Sequence, residues 1–184
     1  MPSDTSEDPS DDQEQFSEFY AARRDVVRRT AYLLCGDWHW ADDLTQVAFM
    51  RLAVSWRKVR DRGALDAYVR TCLMRCYLSE TRRAWRRREA SHAEVPDTTA
   101  GPDTVEQSAQ RTAFTAALGQ LPPRQRAALV CRYYHDLDIA ATAEALRCSE
   151  GTVKSHTARG LARLKQLLGD DFEQRPAAMM EGRS

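Results

Sequence analysis

Two stretches carry side chains whose type and spacing suit chemistry on a polyanion. Around Trp85 the sequence reads RRAWRRR, with Arg82, Arg83, Arg86, Arg87 and Arg88 crowded together. Guanidinium groups donate to phosphate in a planar fork, and each phosphate neutralised releases counterions. An aromatic ring among them can stack on an unpaired base. The second stretch, Glu150 to Leu164, reads EGTVKSHTARGLARL. At 100° per residue, Val153, Thr157, Leu161, Leu164 and Leu168 form one apolar stripe. Gly151, Ser155, Ala158 and Ala162 lie opposite, flanked by Lys154 and Arg159. A small-residue face edged with cations can approach the floor of a deep, negatively charged groove. The blander alternatives are a solvated basic helix end and an αα-hairpin with a solvated basic face. No supported carboxylate pair, phosphate-cradling glycine loop or Ser/His/Asp order stands out, so no enzymatic activity is expected.

The bulk properties fit a binding protein. The chain has 184 residues, enough for one or two small domains, and a formal net charge of zero. That zero conceals segregation. Asp4, Glu7, Asp8, Asp11, Asp12 and Glu14 crowd an N-terminus without a base, whereas the arginines cluster later. No apolar run reaches membrane-spanning length and no signal-peptide core is present, so a cytoplasmic protein is expected. The five cysteines argue against a disulfide framework. Cys72 and Cys76 continue the apolar series Leu65 and Val69, which favours core filling over a metal site with His92. Neither a metal nor a cofactor is expected.

The elements that must position these side chains are helical. Residues 1–15 read as a disordered acidic tail. From Phe16, a stripe through Tyr20, Val27, Ala31 and Leu34 predicts a helix that stops at Gly36. Further helices are predicted from about Ala41 to Val59 and from Leu65 to about Arg88. Residues 90–103, ASHAEVPDTTAGPD, are small and polar and hold Pro96, Gly101 and Pro102, and read as a flexible linker. Beyond it, helices are expected over 105–118, from Pro122 to about Tyr134, over 138–146, and from Glu150 onward. Residues 170–184 read as a loose tail. The fold class is therefore all-α, with helical domains at 16–89 and 104–169. The last two helices, joined by Arg147-Cys148-Ser149, make a helix-turn-helix pattern in which Ser149 can cap the second.

These segments carry a family resemblance. LPPRQRAALVCRYYHDLDIAATAEALRCSEGTVKSHTARGLARLKQLL resembles region 4 of the extracytoplasmic-function (ECF) sigma factors, in the sigma-70 family. DWHWADDLTQVAFMRLAVSW resembles region 2.2, and LDAYVRTCLMRCYLSETRRAWRRR the DNA-facing helix that follows. The clustered arginines after YLS are similar to actinobacterial members. The resemblance implies a protein that binds core RNA polymerase, through the β′ clamp helices and the β subunit. It implies recognition of promoter −10 and −35 elements and help in opening the duplex; whether an anti-sigma factor also binds is left open.

Site expectations follow. Asp42, Asp43, Gln46 and Phe49 would meet polymerase, with Phe49 as an exposed apolar anchor. The alternative is that Phe49 packs against the N-terminal helix. Arg75, Arg82, Arg83 and Arg86, with the loop from about Arg60 to Ala64, would hold the −10 element. Thr152, Lys154, Ser155, His156 and Arg159 would meet the −35 element, with Lys154 and Arg159 able to reach guanine edges. Three positions depart from the family pattern. Arg147 stands where glycine is frequent, His156 where arginine is common, and Val47 where an acidic residue is usual. The rival readings are a dimeric helix-turn-helix regulator independent of polymerase, and a thiol or zinc sensor.

Overall fold

The computed structural model describes residues 9–59, 61–91 and 107–169, and these are helical. Residues 1–8, Arg60, most of the expected linker (92–106) and the expected C-terminal tail (170–184) lie outside the described residues. Helix α1 spans Pro9–Cys35, α2 Trp38–Ser55 and α3 Leu65–Ser91, with single 3-10 turns at Trp56–Lys58 and Arg62–Ala64 between the last two. Helix α4 spans Gln107–Gly119, α5 Pro123–Leu129, α6 Ile139–Leu146 and α7 Glu150–Leu168. A π-helical turn, Val130–Tyr134, extends α5.

Local chemistry sets these boundaries. Gly36 ends α1 with φ +74°, its N–H donating to the Tyr32 carbonyl, a left-handed exit that glycine takes without a Cβ penalty. Asp37, Asp138 and Ser149 cap α2, α6 and α7 by accepting from the backbone N–H of Trp40, Ala141 and Thr152; each such cap contributes about 1 kcal/mol. Arg147, between α6 and α7, is left-handed at φ 50° and ψ 57°. A non-glycine residue there carries a cost on the order of 1 kcal/mol.

Helix α1 begins earlier than its sequence suggests. Phe16 meets Trp56 edge-on, with centroids 5.1 Å apart, and Phe19 lies 6.1 Å from the same ring. These aromatics anchor the N-terminal half of α1, so the helix continues back through Asp12 and Asp11 to Pro9. The acidic stretch is thus ordered from Pro9 onward, not disordered to residue 15. The negative first turn also suits the positive end of the helix dipole.

The two helical halves share a core. Leu34, Leu44, Leu52, Leu73 and Tyr77 from α1–α3 lie in one buried cluster with Ala127, Ala128, Val130, Cys131 and Leu146. Arg126, itself buried, reaches across from α5 to the Leu34 carbonyl at the end of α1. Four cysteines are fully buried and Cys148 is partly so. Burial pushes the thiols of Cys35 and Cys131 up to about 11 and about 12, so they stay protonated and serve as core filling.

His135 sits at the seam, 3.2 Å from the Thr30 hydroxyl of α1. Burial, aided by Arg70, pulls its pKa down to about 3 from 6.5. As pH falls through 6.5, the unfolded chain takes up this proton first. Stability contributed by the neutral ring is therefore complete above 6.5 and is lost progressively toward pH 3. Urea unfolding is expected to give up to about 2 kcal/mol less stability at pH 5 than at pH 7. His135→Gln should flatten that part of the profile.

Candidate nucleic-acid and polymerase interfaces

Helix α7 presents the face its sequence implies. Val153 and Leu164 are buried, whereas Gly151, Lys154, Ala158, Arg159 and Ala162 are exposed and Ser155 is half-exposed. The buried side contains one residue that the periodic apolar stripe does not: Gly160. A Cβ there would stand 3.0 Å from Leu129 Cδ1 and 3.1 Å from its Cγ, so glycine lets α7 lie close on α5. Thr157, Leu161 and Leu168 are only partly covered.

Two of the expected −35 residues have other partners. The Thr152 hydroxyl lies 2.8 Å from Ser149 Oγ and belongs to the helix cap. His156 is half-buried with its Nδ1 unpartnered. Its pKa is lowered by burial and by the neighbouring charges of Arg124 and Arg159. Arg124, exposed in the first turn of α5, is a cation beside this face that the sequence reading passed over. Its only sequence signal is its place in LPPRQR. The structure thus brings together Arg124, Lys154, His156 and Arg159 around a surface of small residues.

On α3, Arg82, Arg83 and Arg86 are exposed, as is Trp85 at 63%. Arg83 pairs with Glu80 at 2.7 Å. Arg75 differs: it is half-buried, and its Nε is enclosed without a partner. It shares a helix face with Arg82 and Arg86 but lies about two and three turns before them along α3.

The expected polymerase face on α2 is rotated. Phe49 is 3% exposed and packs edge-on against Tyr20, with centroids 4.8 Å apart, and against Phe19. It is a core residue, not an exposed anchor. Asp42 is held by Arg28 through both carboxylate oxygens, and Arg28 also stacks over Trp38. That pairing holds the Asp42 carboxyl below the usual range. The open face of α2 instead carries Val47, Met50 and Val54, at 39%, 67% and 81% exposure, alongside exposed Asp43 and Gln46. These three apolar side chains, at i, i+3 and i+7, form one exposed stripe with polar neighbours.

A capped helix-turn-helix with a basic, small-residue recognition face, joined to a helical unit with an arginine-rich helix end, defines a DNA-binding transcription protein. Comparison with known proteins refines this class. The profile for Sigma-70 region 2 matches residues 19–87, and that for Sigma-70, region 4 matches residues 111–164. The chain is 34% identical over 164 residues to an RNA polymerase sigma-E factor of Streptomyces coelicolor, covering 88% of this chain and 90% of that protein. It is 31% identical to the ECF RNA polymerase sigma factor SigM of Mycobacterium tuberculosis, covering 86% and 79%. Its fold is similar to that of the sigma factor RpoE in a co-crystal structure with the anti-sigma factor NepR from Bartonella quintana. The TM-score is 0.73 over 86% of this chain and 99% of that one, and at 24% identity the likeness is one of fold. The chain belongs to the sigma-70 family, as an ECF sigma factor of actinobacterial type. It directs promoter-specific transcription, and such proteins are DNA-binding regulators rather than enzymes.

Proposed function

We propose that residues 16–89 bind core RNA polymerase and the −10 element, and that residues 104–169 bind the −35 element. The observation that carries this is the exposed Gly151–Ala158–Ala162 face, bounded by Lys154 and Arg159. A helix with that face enters the major groove without steric bulk. Its two cations can donate to guanine O6 and N7, and Ser155 is placed to bond a base or a phosphate. Arg124 and His156 lie where the DNA backbone would pass, and Thr152 acts through the cap. On α3, Arg82, Arg83 and Arg86 would neutralise phosphates and Trp85 would stack on an unpaired base of the opened strand. Arg75 would serve the same strand from deeper in the helix.

Polymerase would meet the α2 stripe of Val47, Met50 and Val54, with Asp43 and Gln46 as its polar rim. Asp42 contributes by fixing α2 to α1 through Arg28. Phe49 acts as the core support beneath that surface. The protein itself would supply no catalytic step, and it would act in the cytoplasm, where polymerase and chromosome meet.

Run-off transcription with core polymerase, with and without this protein, tests the proposal: transcripts with defined starts are expected only when it is present. Arg159→Ala should weaken promoter binding by about 1–3 kcal/mol and relax one −35 position. Equal losses on promoter and random duplex would sink base reading by Arg159.

A further inference from the structure

The first turns of α1 hold an unexpected contact. Asp12 is nearly enclosed, at 8% exposure. Its carboxylate accepts from Arg57 Nε at 2.9 Å and from Arg62 Nη2 at 3.2 Å. Arg57 lies in the turn after α2 and Arg62 in the turn that opens α3. Arg62 also stacks over Trp56, with its guanidinium carbon 4.4 Å from the ring centre. Asp12 stands one helical turn before Phe16, which packs on that same Trp56. The carboxylate is therefore positioned by core packing and is not a chance partner on a mobile surface.

The segment Asp12 occupies matters. Arg62 belongs to the loop, about residues 60–64, that the family resemblance assigns with α3 to the −10 element. A carboxylate with two guanidinium donors copies what a phosphate would receive there. Exposed Asp11 and Glu14 beside it add negative charge, which repels an approaching phosphate backbone. Arg57 keeps 68% of its side chain exposed while paired to Asp12, so a competing anion can reach it from solvent.

We propose that the N-terminal turns of α1 are an intramolecular stand-in for DNA: Asp12 occupies Arg57 and Arg62 and withholds them from the −10 strand. This rests on the proposed binding of the −10 element by residues 16–89, with the loop before α3 included as the resemblance implies. The clamp lowers the intrinsic DNA affinity of the free protein. Promoter DNA held close by polymerase displaces the carboxylate, and the two arginines then pass to phosphates.

The test uses full-length protein and a fluorescent 20-nucleotide single strand of mixed sequence, titrated across salt concentrations. Asp12→Asn is expected to bind about threefold to tenfold tighter at low salt. Its plot of log affinity against log salt should steepen by about 1.4, for two phosphates gained on a single strand. Adding Arg57→Gln and Arg62→Gln to that variant should abolish the gain. Unchanged or weaker binding by Asp12→Asn overturns the proposal.

Should Asp12→Asn fail to fold, Arg57→Gln alone decides. An already neutralised arginine should cost less than twofold, and a loss as large as that of Arg86→Gln overturns the clamp. Run-off transcription by the unaltered protein is measured alongside. Specific transcripts without an Asp12 effect on binding remove the clamp alone. An Asp12 effect without specific transcripts removes the promoter reading alone and supports the clamp.

Discussion

Phe49→Ala is expected to destabilise the protein by about 3–5 kcal/mol, while its neighbour Met50 is expected to tolerate replacement and, on the proposed reading, to govern polymerase binding. Phe49 fills the junction of α1 and α2 against Tyr20 and Phe19, where a truncated side chain leaves a cavity that two helix backbones cannot close. Met50 is 67% exposed, so a longer polar side chain there meets water. Met50→Lys should leave the melting temperature within a degree or two. It should weaken binding to core polymerase by about 30- to 100-fold, because a charge is then buried at the centre of an apolar contact. Thermal unfolding and titration against core enzyme separate the two effects. Full polymerase affinity in Met50→Lys would remove the stripe from the interface.

Arg126→Met should cost about 3–5 kcal/mol, although it removes a charged group from the interior. The guanidinium donates to three carbonyls: Leu34 at the end of α1, and Gly119 and Leu121 in the connection before α5. Methionine fills much of the volume but supplies no donor, and each buried carbonyl left unpaired costs about 1–3 kcal/mol. A hydrophobic replacement for a buried charge is often neutral when its partners are replaced too. Here the partners are backbone oxygens and remain. Urea unfolding should register a lower midpoint with an unchanged slope. An unchanged midpoint would mean that water can reach those carbonyls.

The contrast between α2 and α7 explains how much of this was legible from the sequence. On α7, small, cationic and aliphatic residues separate cleanly around the helix, so its orientation follows from the pattern. Gly160 escaped because a glycine carries no hydropathy; only the nearness of Leu129 marks it as core. On α2, apolar residues occupy two arcs, Leu44–Ala48–Leu52 with Phe49 and Val47–Met50–Val54. Periodicity locates an amphipathic helix but does not choose between arcs. The choice is made by Phe19 and Tyr20 on α1, which are distant in sequence and supply an aromatic socket on one side only. The Asp12 contact was hidden for a similar reason. Acidic composition suggests disorder, and it is Trp56, some forty residues on, that orders this stretch. The helix order, the Ser149 cap and the strained position of Arg147 rest on short-range chemistry and could be read directly.

The core shared by the two halves has a thermodynamic consequence. Elements named −35 and −10 stand about 25 base pairs apart, roughly 85 Å of duplex at ~3.4 Å per step. A compact chain of this length is only about 40 Å across. On the proposed reading, the halves must part to span the promoter, and Ala127, Ala128, Val130, Cys131 and Leu146 then lose their cover. Because parting exposes that apolar surface, the parted form would on this reading be the disfavoured fraction of the free chain. Its apparent affinity for a two-element site is reduced by that fraction. A polymerase surface that favours the parted form would raise the fraction, so promoter selectivity would emerge from the assembled holoenzyme more than from the solitary subunit.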